Sequence, residues 1–266
     1  MIAPFSPPAS KLVVSIDESI ATVAIDNPAK RNALDLEMWK ALPSIVTALD
    51  RNPLVRVIIL RGKGNNPFAS GADIAEFETV RANAEGGRLY EAANEAAFWA
   101  IAHCSKPVVA MIRDFCLGGG FGLALSCDLR IASENATFGI PAARLGIGYP
   151  PGAMKLVTAA VGASAAKDLF FTARRIGAQE AERLGILQQV VPDEALEATV
   201  RALAVSIAKN APLTIMAAKA AIGEATGLAK PGTDPAALAD LCFDSADAVE
   251  GRNAFLEKRR PVFIGR

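Results

Sequence analysis

Between Lys106 and Ala132 the chain reads KPVVAMIRDFCLGGGFGLALSCDLRIA, and three kinds of segment follow one another within it. Lys106–Ile112 is a β-branched, apolar run short enough for a buried strand. Cys116–Asp128 then sets three consecutive glycines in front of an apolar, helix-like run, and Cys127–Ala132 returns to strand character. A strand, a glycine turn, a helix and a strand make a βα unit. A glycine-rich turn that opens a helix leaves backbone N–H groups without intrahelical acceptors, at the positive end of the helix dipole. Such groups can hold a phosphate or a developing oxyanion. The segment has neither GxGxxG nor P-loop spacing, so a nucleotide site lacks its motif. Taken alone, LGGGFG fits an anion site and a closely packed strand–helix junction equally well.

The same alternation extends outward. Lys11–Asp26 reads as two strands around a polar turn at Asp17-Glu18-Ser19. Leu34–Asp50 has helical spacing through Leu34, Met38, Leu42, Ile45 and Leu49, with Pro43 expected to kink it or to end its first part. Val55–Leu60 is another buried strand, and a helical pattern occupies Tyr90–Ala102. Strands alternating with helices predict an α/β fold with a largely parallel sheet. From about Ala163 the pattern becomes mainly helical, with a loop between Gly227 and Pro235 and a last helix before the tail RPVFIGR.

Bulk properties narrow the class. In 266 residues, 28 basic side chains balance 28 acidic ones, and no basic cluster stands out, which argues against nucleic acid as a partner. With 52% apolar residues the chain can bury a full core. Cys104, Cys116, Cys127 and Cys242 show neither CxxC nor zinc spacing and read as free thiols. The Pro-containing start lacks the basic-then-apolar order of a signal or transit peptide. No apolar run approaches the ~20 residues of a membrane span. The expectation is a cytoplasmic protein with no membrane partner and no metal.

A second glycine turn, NNPFASGADI (Asn65–Ile74), also follows a predicted strand. Two N–H donors from two separate turns are what a thioester carbonyl needs if its oxygen is to carry negative charge. At this point the sequence resembles the enoyl-CoA hydratase/isomerase, or crotonase, superfamily. The resemblance runs from about Leu12 to Arg266. It is carried by NPAKRNALD (Asn27–Asp35), FASGADI (Phe68–Ile74), Lys106–Ala132, ATFGIPAARLGIG (Ala136–Gly148), Ala165–Val191 and EGRNAFLEKRRPVF (Glu250–Phe263).

The resemblance implies a repeated ββα spiral core at residues 11–196. A flexible segment would precede it at 1–10, and a helical trimerisation region would follow at 197–266. It implies an acyl-CoA substrate, with coenzyme A part of that substrate and no further cofactor, and homotrimers or hexamers made of paired trimers. The oxyanion-hole donors fall on the N–H groups of Ala72 and Gly119. Lys30, Arg31 and Ala33 match the segment that meets the CoA pyrophosphate and adenosine. Ser70, Ala72, Asp73 and Ile74 match the backbone that lines the adenine. Lys258 matches a C-terminal position that often reaches CoA on a neighbouring subunit. On residue type alone, Lys30 and Arg31 are equally well read as solvated cations beside a proline.

The sequence also departs from that family. The two glutamates that hydratases use to handle water fall at Gly122 and Ala142, and neither residue can move a proton. The carboxylate of isomerase-like branches falls at Pro150, and the Leu145–Leu156 loop is one residue shorter than the family pattern. Tyr149 matches a tyrosine of the methylmalonyl-CoA decarboxylase branch, with a pocket-lining role as its plain alternative. Glu95 falls where the chlorobenzoyl-CoA dehalogenase branch carries a histidine; the plain alternative is a solvated helix glutamate beside Glu91. His103 is read as structural, Asp128 as a backbone or capping partner, and Arg144 as a salt-bridge residue or a contact for an acidic acyl group. The expected function is enoyl-CoA hydratase/isomerase-like chemistry through an enolate. Malonyl-type decarboxylation and non-catalytic acyl-CoA binding stand as the alternatives.

Overall fold

Two strands that cannot each shelter their apolar residues alone pair first: β1 (Leu12–Asp17) and β2 (Ile20–Ile25) run antiparallel from Leu12 opposite Ile25 to Asp17 opposite Ile20. The turn between them holds Glu18 at φ 53°. This computed structural model describes residues 10–266, so nearly all of the expected N-terminal segment lies outside the described residues. The remaining strands are β3 (Val57–Gly62), β4 (Val108–Ile112), β5 (Phe115–Leu117), β6 (Leu129–Ser133), β7 (Thr137–Gly139), β8 (Arg175–Gly177) and β9 (Gln189–Val191). They form a large sheet in the order β1-β2-β3-β4-β6-β9, parallel from β2 onward, and a small sheet in the order β5-β7-β8.

The helices are α1 (Leu36–Arg51), α2 (Phe77–Val80), α3 (Ala84–Ala102), α4 (Gly119–Ser126), α5 (Ala142–Leu145), α6 (Pro151–Thr172, broken at Gly162), α7 (Ala178–Arg183), α8 (Leu196–Ala208), α9 (Pro212–Ala225), α10 (Pro235–Phe243) and α11 (Ala246–Leu256). The chain repeats one move. A strand enters the large sheet, a short one enters the small sheet, and a helix returns, as in β4–β5–α4 and β6–β7–α5. In the turn that starts with β3, Ala69 bridges Cys116 and so takes the place of the short strand.

Both faces of the large sheet are covered, which is why β4 is apolar at every position. On one face lies the main core, including Met38, Trp39, Leu42, Ile45 and Leu49 of α1. On the other, Leu196, Val200 and Ala204 of α8 repeat every fourth residue. They pack on Ile20, Val57, Ile59, Val109, Met111 and Ile131. The division expected at 196/197 therefore passes through the start of a helix that buries the sheet.

One local expectation is corrected. Pro43 does not end its helix: α1 runs unbroken from Leu36 to Arg51. Buried residues on both sides of the proline, Trp39 and Leu42 before it and Ile45, Val46 and Leu49 after it, hold the two halves in line against the lost amide donor. The region after Ala163 is mainly helical, as expected, and within it β8 and β9 each insert three residues into a sheet. Three residues are too few for a period-2 pattern to be read.

Candidate active site

The two glycine turns meet. Ala69 N–H donates to Phe115 O at 2.9 Å and Leu117 N–H donates to Ala69 O at 3.0 Å, so residues 69–72 run alongside 115–119. Gly71, at φ 108°, comes so close that a Cβ there would stand 3.1 Å from the Leu117 carbonyl oxygen. Gly118 sits at φ 51°, ψ −122° as the residue before α4, a conformation that side chains other than glycine rarely adopt. Leu34 O takes the amide of Asp73 and Gly139 O takes that of Gly118, while the amides of Ala72 and Gly119 donate to no backbone acceptor among the described residues. The amide of Gly119 is the first of α4, at the positive end of the helix. Free N–H groups on abutting turns are the kind of donors that a developing oxyanion needs.

Gly119 has a second reason to be glycine. A Cβ at that position would lie 2.9 Å from Trp39 Cζ2. Trp39 is fully buried, donates its indole N–H to the Tyr90 hydroxyl at 2.9 Å, and meets Phe98 edge-on with ring centroids 5.8 Å apart. Phe98 in turn explains Gly122: a Cβ there would lie 2.5 Å from Phe98 Cζ. The position at which the family resemblance expects a glutamate is thus closed by an aromatic ring. Ala142 opens α5 and is buried, while Pro150 caps the start of α6.

Glu95 is half-buried rather than fully solvated. Its Oε1 accepts from the Trp99 indole N–H at 3.3 Å, and a Cβ on Gly152 would fall 1.6 Å from it, so the carboxylate rests on the first turn of α6. Tyr149 is half-buried and meets Phe170 edge-on at 5.0 Å. Burial raises the Tyr149 phenol above its ordinary value and the nearby Glu91 charge raises it further, while Arg81 opposes both.

The proposed CoA segments also converge, with changes. Lys30 is not a free cation but pairs with the buried carboxylate of Asp73, joining the two segments, and Ser70 Oγ donates to Lys30 O at 3.1 Å. Arg31 adopts φ 50° and lies over the Phe115 ring at 5.5 Å. Ala33 is buried, whereas Ile74 is 58% exposed beside the turn, a bare apolar surface for a flat ring. Asp73 caps the following turn by accepting from Ala75 N–H at 3.2 Å, so its side chain is structural. Lys258 is exposed after α11 at φ 54°.

Other candidates fall away from the site. His103 caps the C-terminal end of α3 and stacks on Trp99 at 4.7 Å; burial lowers its pKa, with Lys230 adding to the effect. Asp128 accepts from Val108 N–H and from Lys219 Nζ, both at 2.7 Å, which is the structural role expected of it. Arg144 is exposed and makes no ion pair among the described residues. Sequence reasoning passed over Trp39, Tyr90, Phe98 and Arg81 because nothing local marks them. The helical spacing of Glu91, Asn94, Glu95 and Phe98 was the one available signal that they share a face.

Comparison with known proteins bears on the fold. The chain is 36% identical over 257 residues to a crotonyl-CoA hydratase of Syntrophomonas wolfei, covering 96% of this chain and 98% of that one. It is 34% identical over 257 residues to a short-chain-enoyl-CoA hydratase of Clostridium acetobutylicum, covering 94% and 96%. A solved enoyl-CoA hydratase/carnithine racemase of Magnetospirillum magneticum superposes with a TM-score of 0.91 at 34% identity over 98% of this chain and 97% of that one. The expected crotonase-like α/β fold with a helical C-terminal region is therefore the fold of this chain. The family model for enoyl-CoA hydratase/isomerase matches residues 15–266, and the chain belongs to that family.

Proposed function

We propose that this protein is an acyl-CoA enzyme that polarises a thioester carbonyl with the Ala72 and Gly119 N–H groups and works through an enolate. The observation that carries this reading is the pair of unpartnered amides on two abutting turns. Hydration of a short 2-enoyl-CoA is the leading reaction, by similarity to the crotonyl-CoA hydratase of Syntrophomonas wolfei. The CoA moiety lies along Lys30, Arg31 and Ala33 and over Ser70, Asp73 and Ile74, and it needs no further cofactor. Lys258 belongs to the CoA site of a neighbouring subunit in a trimer or a pair of trimers. Phe243, Phe255 and Phe171, each more than three-quarters exposed, supply apolar surface for that assembly. The protein acts in the cytoplasm; among the described residues no helix is long and apolar enough to cross a membrane.

A second reading is favoured by Phe98. Its ring walls the site at Gly122, and decarboxylation of a malonyl-type thioester needs the oxyanion hole but no base in its first step. Glu95 or Tyr149 then returns a proton to the enolate. Incubation with crotonyl-CoA, a longer 2-enoyl-CoA, a 3-enoyl-CoA and methylmalonyl-CoA, followed by mass spectrometry, separates these readings. Gain of one water supports hydration and loss of carbon dioxide supports decarboxylation. Tight binding without any turnover would leave an acyl-CoA-binding protein that has lost catalysis.

A further inference from the structure

Hydration without the two family glutamates needs another group to take and return a proton. The face of α3 that runs past Phe98 carries Glu91, Asn94 and Glu95, spaced so that all three lie on one side of the helix. Glu91 forms an ion pair with Arg81, whose guanidinium is stacked over Phe77 and Tyr90 with centroid distances of 4.6 and 4.9 Å. Tyr90 holds the Trp39 indole, and Trp39 packs on Gly119. A continuous set of contacts therefore fixes the Glu91 carboxylate relative to the oxyanion hole. The Glu91 side chain is 19% exposed, so it is sheltered yet still open to a small molecule.

Asn94 supplies the independent observation. It is only 6% exposed, and its Oδ1 is buried without any donor among the described residues. A buried carbonyl oxygen with no partner calls for a water or a ligand hydroxyl. Asn94 lies three residues from Glu91, on the same face of α3. Burial raises the Glu91 carboxyl above the usual carboxylate range, with the neighbouring Glu95 charge adding to the effect and Arg81 and Asn94 opposing it.

We infer that Glu91 is the proton carrier of this enzyme, with Asn94 Oδ1 as the second acceptor for the attacking water and Arg81 as a positioning residue. This inference rests on the acyl-CoA reading of the site. As the water oxygen bonds to C3 of the enoyl thioester, one of its protons passes to the Glu91 carboxylate. The C2=C3 electron pair moves to form the enolate, whose charge on the thioester oxygen is held by the Ala72 and Gly119 amides. Glu91 then gives the proton to C2, the thioester reforms, and the carboxylate is restored with one water added overall. One carboxylate and one amide oxygen thereby replace the two carboxylates of the family pattern.

The test uses the full-length protein and crotonyl-CoA, followed by loss of the enoyl thioester absorbance. Butyryl-CoA binding and circular dichroism serve as controls for fold and site. Glu91→Gln keeps the side chain's shape, and kcat is expected to fall by about 10²–10⁴ with KM little changed. The acidic limb of the wild-type pH–rate profile, set by Glu91 facing Arg81 from the end of α2, Tyr149 from the loop before α6, and Glu95 on its own helix, is expected to vanish in this variant. Asn94→Leu is expected to lower kcat while leaving that limb in place. Glu85→Gln, exposed in the first turn of the same helix, is expected to leave the rate unchanged. A folded Glu91→Gln variant with kcat within twofold of wild type overturns the assignment, as does loss of the limb in Glu95→Gln but not in Glu91→Gln. A wild-type protein that binds butyryl-CoA but turns over no enoyl thioester overturns this assignment alone, and one that does not bind butyryl-CoA overturns the acyl-CoA reading with it.

Discussion

Replacing Gly122 by alanine tests whether Phe98 really closes the place of the missing glutamate. The new Cβ would start 2.5 Å from Phe98 Cζ and 3.0 Å from both Cε atoms, so the ring must move by about 1 Å to reach ordinary van der Waals contact. It has little room to do so, being 3% exposed and held edge-on against the fully buried Trp39. Overpacking of this kind costs up to about 3 kcal/mol. Alanine in a helix interior regains about 1 kcal/mol over glycine. The expected net loss is about 2 kcal/mol, or a fall in Tm of roughly 4–8 °C for a chain of this size. Scanning calorimetry at fixed protein concentration reads the shift. A Phe98→Leu background, which removes the ring, should make Gly122→Ala less costly, with a coupling of about 0.5–3 kcal/mol in the double-mutant cycle. An alanine variant as stable as wild type, or additive effects of the two changes, would refute the reasoning. The same geometry predicts that Gly122→Glu alone does not restore hydratase chemistry.

Three further outcomes follow from the site and the core. Gly119→Pro removes one oxyanion donor and should lower turnover by about 10²–10³ in variants that still fold and bind acyl-CoA; unchanged turnover in such a variant would remove Gly119 from the site. Lys30→Met should change stability by no more than about 1 kcal/mol, because the Lys30–Asp73 pair is half-exposed on the lysine side. Its effect on acyl-CoA affinity, measured by calorimetry, should shrink as salt rises. Burial raises the thiols of Cys104 and Cys127 to about 12 and pushes Cys116 well above its usual range, so these three stay protonated. Maleimide at about pH 8 should therefore label only the half-buried Cys242 in the native protein, as peptide mapping would show; early labelling of Cys116 would contradict the core described above.

Features that depend on neighbours along the chain are legible in the amino-acid order. The β-branched runs at Val57–Gly62 and Val108–Ile112, the apolar face of α1, and the glycines that allow positive φ at Gly71 and Gly118 were all legible, because strand pattern, helix spacing and turn chemistry are local. So was the absence of carboxylates at Gly122 and Ala142. What stands in their place comes from packing between distant segments. Phe98 and Gly122 lie on different helices, and only their packing shows that the ring leaves no room for a side chain. Three-residue strands such as β5 and β7 exist because long-range partners supply their hydrogen bonds, not because their own residues favour them. Lys30 and Arg31 looked alike as surface cations, but the fold gave one a buried carboxylate and the other an aromatic face. Glu91 entered the sequence reading only as a neighbour of Glu95, and it is the fold that gathers Arg81, Tyr149 and the orphaned oxygen of Asn94 near it. Such groupings depend on contacts between segments distant in sequence, whose burial and charge no local pattern records.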